Sequence, residues 1–551
     1  MNYILAGLIL LSFFFIFSII DQKRRKRNIL EDLKSSWAKE REESINFDKA
    51  SWYSIYYQEE KSFHTLSDQT MADIDFDQLF AKIDRTNSKV GQQYLYNKLK
   101  NPTNNINQLH ELNEQSKFFR ENTTLREKIQ GELIKLNSSE GYSIVLLFNN
   151  KLVEKPTWFK WLAVDLFLMV ALIILSFKFS ICALFFLLLV TFNATFLNYW
   201  NKKHLLVFTK SLSQLNILID VSKRISKENI PFDATKIKES IPLFKKFQKK
   251  IRILYQDFSQ SNQGDISQIP LYLFELIKAV FLVELFTFFK LMSLLENNQE
   301  NILNLFQYVG SVDVAISVAS LRENTSLICV PEFISPDKKI DIKEIKHPLI
   351  KDCISNDVYL DHKSMLITGS NMSGKSTFLR TLAINSLLAQ TIFTCYATAY
   401  KAPIIKLHTS IRIDDNLFDG KSYFLEEVEV MHTIVNEVNK GYQNLFILDE
   451  VFKGTNTTER IAAAKAILSY LNNNLNLVFV ATHDIELVTM LEPEYDLYHF
   501  TETIEDNELI FDHKLKSGPL KTKNAIKILE ISGYPKEIII EALQISKSLS
   551  N

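Results

Sequence analysis

A chain of 551 residues is long enough for three or four domains, and 46% hydrophobic residues are enough for a packed core. The formal net charge of −1 excludes a globally basic, nucleic-acid-seeking field, though not nucleic-acid binding itself. Cys182, Cys329, Cys353 and Cys395 are scattered without metal-ligand spacing, which excludes a disulfide framework and reads as four reduced thiols.

Tyr3 to Ile20 is an almost unbroken apolar run of bilayer length, followed at once by Lys23-Arg-Arg-Lys-Arg27. A cleaved signal peptide carries its charges before the apolar run and small residues after it. This stretch has the reverse polarity. Residues 1–27 therefore read as an uncleaved anchor, with the basic cluster and all that follows in the cytoplasm. Residues 28–70 read as a connector. From Met71 apolar residues recur at helical spacing, Pro102 ends the second helix, and helices continue to about Asn149.

Trp161–Phe177 and Phe179–Leu197 are two apolar runs with only Lys178 between them, the pattern of a transmembrane hairpin. Lys151, Lys155 and Lys160 stand before it and Lys202, Lys203 and His204 after it, so both ends are expected in the cytoplasm. With its flanking aromatics the hairpin spans 158–200 and interrupts a helical domain of 71–330. Leu271–Leu295 is also apolar, but Glu275, Lys278, Glu284 and Lys290 interrupt it at helical intervals. A fourth crossing would move the rest of the chain across the membrane and bury charge. The stretch reads instead as a helix packed on its neighbours or lying on the membrane surface.

Short strands and helices alternate after Glu332, as in an α/β domain, here 331–551. Gly369-Ser-Asn-Met-Ser-Gly-Lys-Ser376 has the spacing G-x-x-x-x-G-K-S, after a short apolar run and before a helical run from Phe378 to Ala389. Strand, glycine-rich loop and helix in that order make a phosphate-binding loop. Glycines let successive N–H groups turn toward phosphate oxygens, and the helix adds its positive end. Lys375 is the cation for the β- and γ-phosphates of ATP, and Ser376 a hydroxyl ligand for Mg²⁺. Leu445-Phe-Ile-Leu-Asp-Glu450 is an apolar strand ending in two carboxylates. Asp449 suits the Mg²⁺ shell, and Glu450 suits the general base that polarises water. Val478-Phe-Val-Ala-Thr-His-Asp484 is a further buried strand, and His483 at its end is a candidate γ-phosphate sensor.

These residues resemble a known family. Thr368 to Thr377 (Gly369, Ser370, Asn371, Met372, Ser373, Gly374, Lys375, Ser376 and Thr377), Asp449-Glu-Val-Phe-Lys-Gly-Thr-Asn-Thr457 and Ala481-Thr-His483 are similar to the ATPase domain of the MutS mismatch-repair family, within the ABC-type ATPases. Lys346-His-Pro-Leu-Ile350, Asp414 to Glu427, Phe511 to Gly518 and Ile528 to Pro535 resemble further parts of that domain. Asp75 to Pro102 resembles the start of the family's helical core and lever. The resemblance covers about 71–150 and 205–545. It implies an α/β P-loop ATPase domain preceded by an all-α core and lever, here with transmembrane helices.

The resemblance also implies ATP and Mg²⁺, and a homodimer with composite sites. Ser422 and the Gly454–Thr457 loop of one chain would complete the site of the other, and His513 would stack on adenine. The resemblance implies DNA binding related to mismatch repair or recombination. Against that, the family's Phe-x-Glu wedge is replaced by the apolar anchor and short connector, its second, connector domain is missing, and neither an obvious clamp segment nor a nuclease module is visible in the sequence. A membrane mechanochemical ATPase acting on a protein partner is the competing expectation. Transport is a weaker third, since three spans offer little pathway. In either of the first two cases the chain is expected in the cell membrane, of the bacterial inner-membrane type, with its ATPase domain in the cytoplasm.

Overall fold

The computed structural model describes residues 17, 20–21, 24, 27–41, 43–57, 62–148, 156–200, 206–254, 283–325, 327–370, 372–412, 423–505, 508–520 and 525–549. The expected anchor at 3–20 lies outside them but for Phe17 and Ile20. The chain divides into two compact units: Met1–Glu59, Asp84–Asn97 and Glu114–Glu323 form one, and Glu60–Ile83, Lys98–Asn113 and Asn324–Asn551 the other.

Among the described residues, every regular element of the first unit is a helix. Its long helix Gln299–Asn324 is apolar enough to cross a membrane, yet most of it is buried inside the unit. Small residues let neighbours come close: a Cβ on Gly310 would lie 2.7 Å from the Tyr94 side chain. The same helix carries the fully buried Asp313. Its carboxylate accepts bonds from Asn87 N at 2.8 Å, Asn87 Nδ2 at 3.0 Å, Ser88 N at 2.9 Å and Ser88 Oγ at 2.6 Å. Burial raises its pKa to about 6 against these bonds, and the four donors fix the start of the helix at Lys89. From the apolar 271–295 stretch, helix Val283–Glu296 is described, and Phe288, Phe289, Leu291, Met292 and Leu295 in it are buried.

Helices Leu162–Ser176 and Ser180–Trp200 form a hairpin. With the turn Thr157–Trp161, the first offers a continuous 20-residue run. The second, of 21 residues, is about 31 Å long at helical rise. Their outward faces are apolar: Phe167 is 76% exposed, Ile174 65% and Phe177 89%. Between the helices, Asn193 Nδ2 donates to Asp165 Oδ2 at 2.8 Å and to Met169 Sδ at 3.4 Å, polar ties within an otherwise apolar pair.

The second unit is built on sheets. Its strands are β1 (Glu332–Ile334), β2 (Lys339–Ile345), β3 (Asn356–Asp361), β4 (Ser364–Thr368), β5 (Ala399–Pro403), β6 (Lys406–Ser410), β7 (Asn444–Asp449), β8 (Leu477–Ala481), β9 (Tyr495–His499), β10 (Glu502–Glu505), β11 (Glu508–Phe511) and β12 (Lys516–Ser517). Among the described residues the main sheet runs β12-β9-β4-β8-β7-β6, parallel except for β12. A smaller sheet runs β1-β5-β2-β3. β4 and β8 are buried along their whole length, as strands covered on both faces must be. Phe446, Leu448, Val478, Val480, Leu487 and Leu491 are among the residues that build one core cluster beside the sheet.

Upstream residues complete this unit. Asp73 is buried at the end of β6 and accepts from Thr409 Oγ1 at 2.6 Å, Arg412 N at 2.7 Å, Ile411 N at 3.0 Å and Gln69 Nε2 at 3.2 Å. Asp75 pairs with Arg412 at 2.7 Å and with Arg380, of the helix after the phosphate loop, at 3.7 Å. Asp73→Ala would strand two buried backbone N–H groups and a hydroxyl. A loss of about 2–4 kcal/mol is expected, read as an earlier thermal transition by circular dichroism. Asp73→Asn, which keeps one acceptor oxygen, should lose less.

Candidate active site

Strand register builds the site. Ile367 of β4 stands opposite Ala481 of β8, and Ala481 stands opposite Asp449 of β7. Backbone bonds continue past the strands: Thr482 N donates to Ile367 O at 3.0 Å, and Glu450 N to Ala481 O at 2.9 Å. The chain beyond Thr368, Asp449 and Ala481 therefore leaves the sheet at one edge, the carboxyl edge where α/β sheets bind ligands.

The loop after β4 turns through residues at positive φ. Gly374 is left-handed at +114° and caps helix Lys375–Thr391. A Cβ on Gly369 would come within 2.8 Å of Phe500 O and Ser373 Oγ. The helix thus starts at Lys375, three residues before the apolar periodicity begins, because the glycine cap sets its first turn. Ser373 Oγ donates to Ser370 O at 2.7 Å, and Ser370 Oγ donates to Glu502 Oε2 at 2.6 Å. Asn371 lies outside the described residues. Met372 is exposed at φ +72°.

Lys375 Nζ donates to Gly369 O at 2.8 Å and Ser370 O at 2.9 Å, and lies 3.2 Å from His483 Nε2. Burial holds this ammonium below its ordinary pKa, while Asp449, Glu450 and Glu502 act the other way. Ser376 Oγ donates to Asp449 Oδ2, so the hydroxyl and carboxylate chosen from sequence as metal ligands face each other. Two hard oxygen donors suit Mg²⁺, an ion that takes few protein ligands and keeps water and phosphate oxygens. No cluster of three or more His, Cys, Asp or Glu that would form an all-protein cage is found among the described residues.

Glu450 sits in the left-handed region at φ +57°. Its carboxylate lies 3.1 Å from His483 Nε2 and 3.4 Å from Lys453 Nζ. The His483 hydrogen bond, then the Lys453 charge, push its pKa down to about 2 against the effect of burial. Asp484, next to His483, is held by Arg460 through bonds of 3.0 and 2.7 Å. Buried Glu427 accepts from Lys453 N at 2.9 Å and Gly454 N at 3.1 Å, which orders the turn after Glu450. Asn456 then caps helix Thr457–Leu471 by accepting from Glu459 N at 3.0 Å. The sequence offered no role for Glu427, Arg460 or Glu502, since each acts through a partner far along the chain. Burial, which a single sequence does not display, is what marks Glu427 and Glu502.

A cavity of about 400 Å³ opens beside these groups. Lys375, Ser376, Thr377, Asp449 and Glu450 form its polar end, and Ile345, Ile354, Phe378, Phe500 and His513 an apolar and aromatic end. His513 Nδ1 lies 3.1 Å from Ser373 O, and its ring stacks on Phe511 with 17° between the planes. Of the residues singled out from sequence, Gly369, Ser370, Met372 to Thr377, Asp449, Glu450, His483 and His513 come together here. Ser422 lies outside the described residues.

A family model described as MutS domain V matches residues 365–550. This stretch belongs to the MutS family. Among similar curated proteins is the DNA mismatch repair protein MutS of Lactobacillus acidophilus, 32% identical over 253 residues, 44% of this chain and 29% of that one. The DNA mismatch repair protein MutS of Thermus thermophilus is 32% identical over 209 residues, 37% of this chain and 26% of the relative. That of Listeria monocytogenes is 30% identical over 283 residues, 49% and 32% respectively. The chain thus spans only about a quarter to a third of the length of these MutS proteins. MutS domain V accounts for the sheet edge, the loop and the carboxylate pair. It begins at Met365, so β1–β3 and the upstream Asp73 segment lie before the matched residues.

The depressed pKa of Glu450 gives a signed prediction. A carboxylate whose folded pKa is lowered adds stability above its ordinary value of 4.5, and that contribution is lost as pH falls toward about 2. Removing the His483 bond should return Glu450 toward 4.5. If Glu450 must be ionised for turnover, the acid limb of the normalised pH–rate profile should move to higher pH in His483→Ala. His483→Gln, which keeps a donor, should stay nearer the parent. The profiles of both variants check this.

Proposed function

We propose that this chain hydrolyses ATP with Mg²⁺ in the manner of a MutS-type ATPase, tied to the cell membrane by its apolar helices. The reading is carried by Lys375, Ser376, Asp449, Glu450 and His483 meeting within hydrogen-bond reach at the ends of three adjacent strands. Lys375 holds the β- and γ-phosphates together with the loop N–H groups and the helix end. Ser376 and Asp449 would hold Mg²⁺, which when bound neutralises charge on the phosphate oxygens. Glu450 orients the attacking water and accepts its proton, and His483 fixes the carboxylate and senses the γ-phosphate. His513 borders the adenine side. Positioning and electrostatic stabilisation account for catalysis of this kind.

In this reading two copies close on each other, with Ser422 and the Gly454–Thr457 loop of one completing the site of the other. Family membership supports DNA as the object of the cycle, since the relatives named above are DNA mismatch repair proteins. Glu450→Gln should bind ATP like the parent and lose turnover by about 10²-fold or more. Unchanged turnover would remove the base assignment. The same purified pair, titrated with DNA across a salt series, should show log K falling linearly with log[salt]. No DNA affinity at low salt would leave a protein partner as the object of the motion.

The exposed hairpin favours the membrane part of this reading. Contiguous apolar faces on two adjacent helices, each long enough or nearly long enough to span, are what lipid covers and water does not. Both ends carry lysines, so the ATPase unit is expected in the cytoplasm. A reporter active only in the cytoplasm should work when fused after Asn551 and fail at Lys178. Activity at Lys178 would take the hairpin out of the membrane.

A further inference from the structure

Cys329 and Cys395, unremarkable in sequence, face each other as an isolated antiparallel bridge in the second unit. Cys329 N donates to Cys395 O and Cys395 N to Cys329 O, both at 3.0 Å. Residues that exchange both bonds have Cα atoms about 5.5 Å apart, within the span of about 4.4–6.8 Å that a disulfide bridges. Directly opposed residues also project from the same face of the pair. The thiols interact: the bond to Cys395 holds Cys329 below the ordinary thiol value, against the effect of burial. Cys395 is buried and Cys329 half-buried, so one sulfur is open to attack on a small molecule and the other waits behind it. Of the other two cysteines, Cys353 lines the nucleotide cavity and Cys182 lies on the hairpin.

We propose that Cys329 and Cys395 are a reversible dithiol–disulfide site, oxidised by low-molecular-weight disulfides. The Cys329 thiolate attacks one sulfur of the oxidant, whose S–S bond breaks and releases one thiolate. Cys395 then gives up its proton, and its sulfur attacks the mixed disulfide at Cys329 and expels the second thiolate. Two protein thiols are oxidised, the oxidant is reduced to two thiols, and the two cysteine protons end on them. Oxidation also removes the Cys395 S–H, whose sulfur lies 3.6 Å from Asn385 O in helix Lys375–Thr391. The side chain of Asn385 joins Lys346 O, at 3.1 Å, to Tyr396 N, at 2.7 Å. The new bond would therefore staple the chain just before β1 to the segment that follows the phosphate-loop helix. A pair of this kind differs from a structural disulfide framework: in a reducing compartment it forms transiently, as sensing pairs do.

The test uses the full-length protein in graded mixtures of oxidised and reduced glutathione, followed by alkylation with N-ethylmaleimide and trypsin digestion. Free thiols should fall from four to two. Peptides 323–338 and 381–401 should appear as one linked species, lighter than their sum by two hydrogens, and dithiothreitol added to the folded protein before alkylation should abolish that species. Cys395→Ser should trap Cys329 as its glutathione mixed disulfide. Cys329→Ser should leave Cys395 unmodified until the protein is denatured. Circular dichroism of both variants reports that they fold. Absence of the 329–395 link at every ratio in folded protein would overturn the proposal. So would a link of Cys329 to Cys353 or Cys182, or a bond that excess dithiothreitol leaves intact.

Discussion

The alignment of three parallel strands is the constraint on which the site depends. Ile367, Ala481 and Asp449 lie side by side, and the backbone bonds of Thr482 and Glu450 carry that alignment beyond the strands. The phosphate loop, the carboxylate pair and His483 come from stretches roughly 30 to 80 residues apart. They meet only because side-chain period and register are fixed once both faces of the sheet are buried. A slip of one residue in β7 would turn Asp449 away from Ser376. The fully apolar β4 and β8 are thus as much a requirement of the chemistry as the polar groups beyond them.

Around this alignment, the polar parts are held by side-chain partners, two of them, Glu427 and Glu502, buried. Glu427 gathers two N–H groups of the turn after Glu450, Arg460 steadies Asp484 beside His483, and Glu502 anchors Ser370 within the loop. Glu450 itself is in a left-handed conformation uncommon for a side chain of its size. Such conformations persist when the surroundings over-determine them.

How far the sequence could be read follows from how local each feature is. The loop, the Asp449–Glu450 pair and His483 were legible because strand, turn and functional residue are contiguous, so periodicity and composition change at the residue that matters. The apolar hairpin was legible for the same reason. The start of the phosphate-loop helix was read late, since its cap is a glycine with no apolar signal. The ties Asp73–Arg412, Ser370–Glu502 and Asp313–Asn87 join positions more than 100 residues apart, and nothing in one sequence pairs them. The core helix Gln299–Asn324 shows a related ambiguity. Its composition would suit a membrane, and only its burial by neighbours says otherwise.

The division of the chain into two interleaved units bears on how the protein is made. Glu60–Ile83 and Lys98–Asn113 belong to the sheet unit, yet the rest of that unit begins at Asn324. On a ribosome adding about 5–20 residues per second, those upstream pieces emerge many seconds before β6, the strand whose end Asp73 closes. In that interval Phe76, Leu79 and Phe80, buried in the finished unit, have no sheet to cover them. The contacts that close the unit are of very long sequence separation, which slows folding and lengthens exposure of apolar surface. Synthesis of this chain should consequently lean on holding factors that cover those apolar side chains during translation.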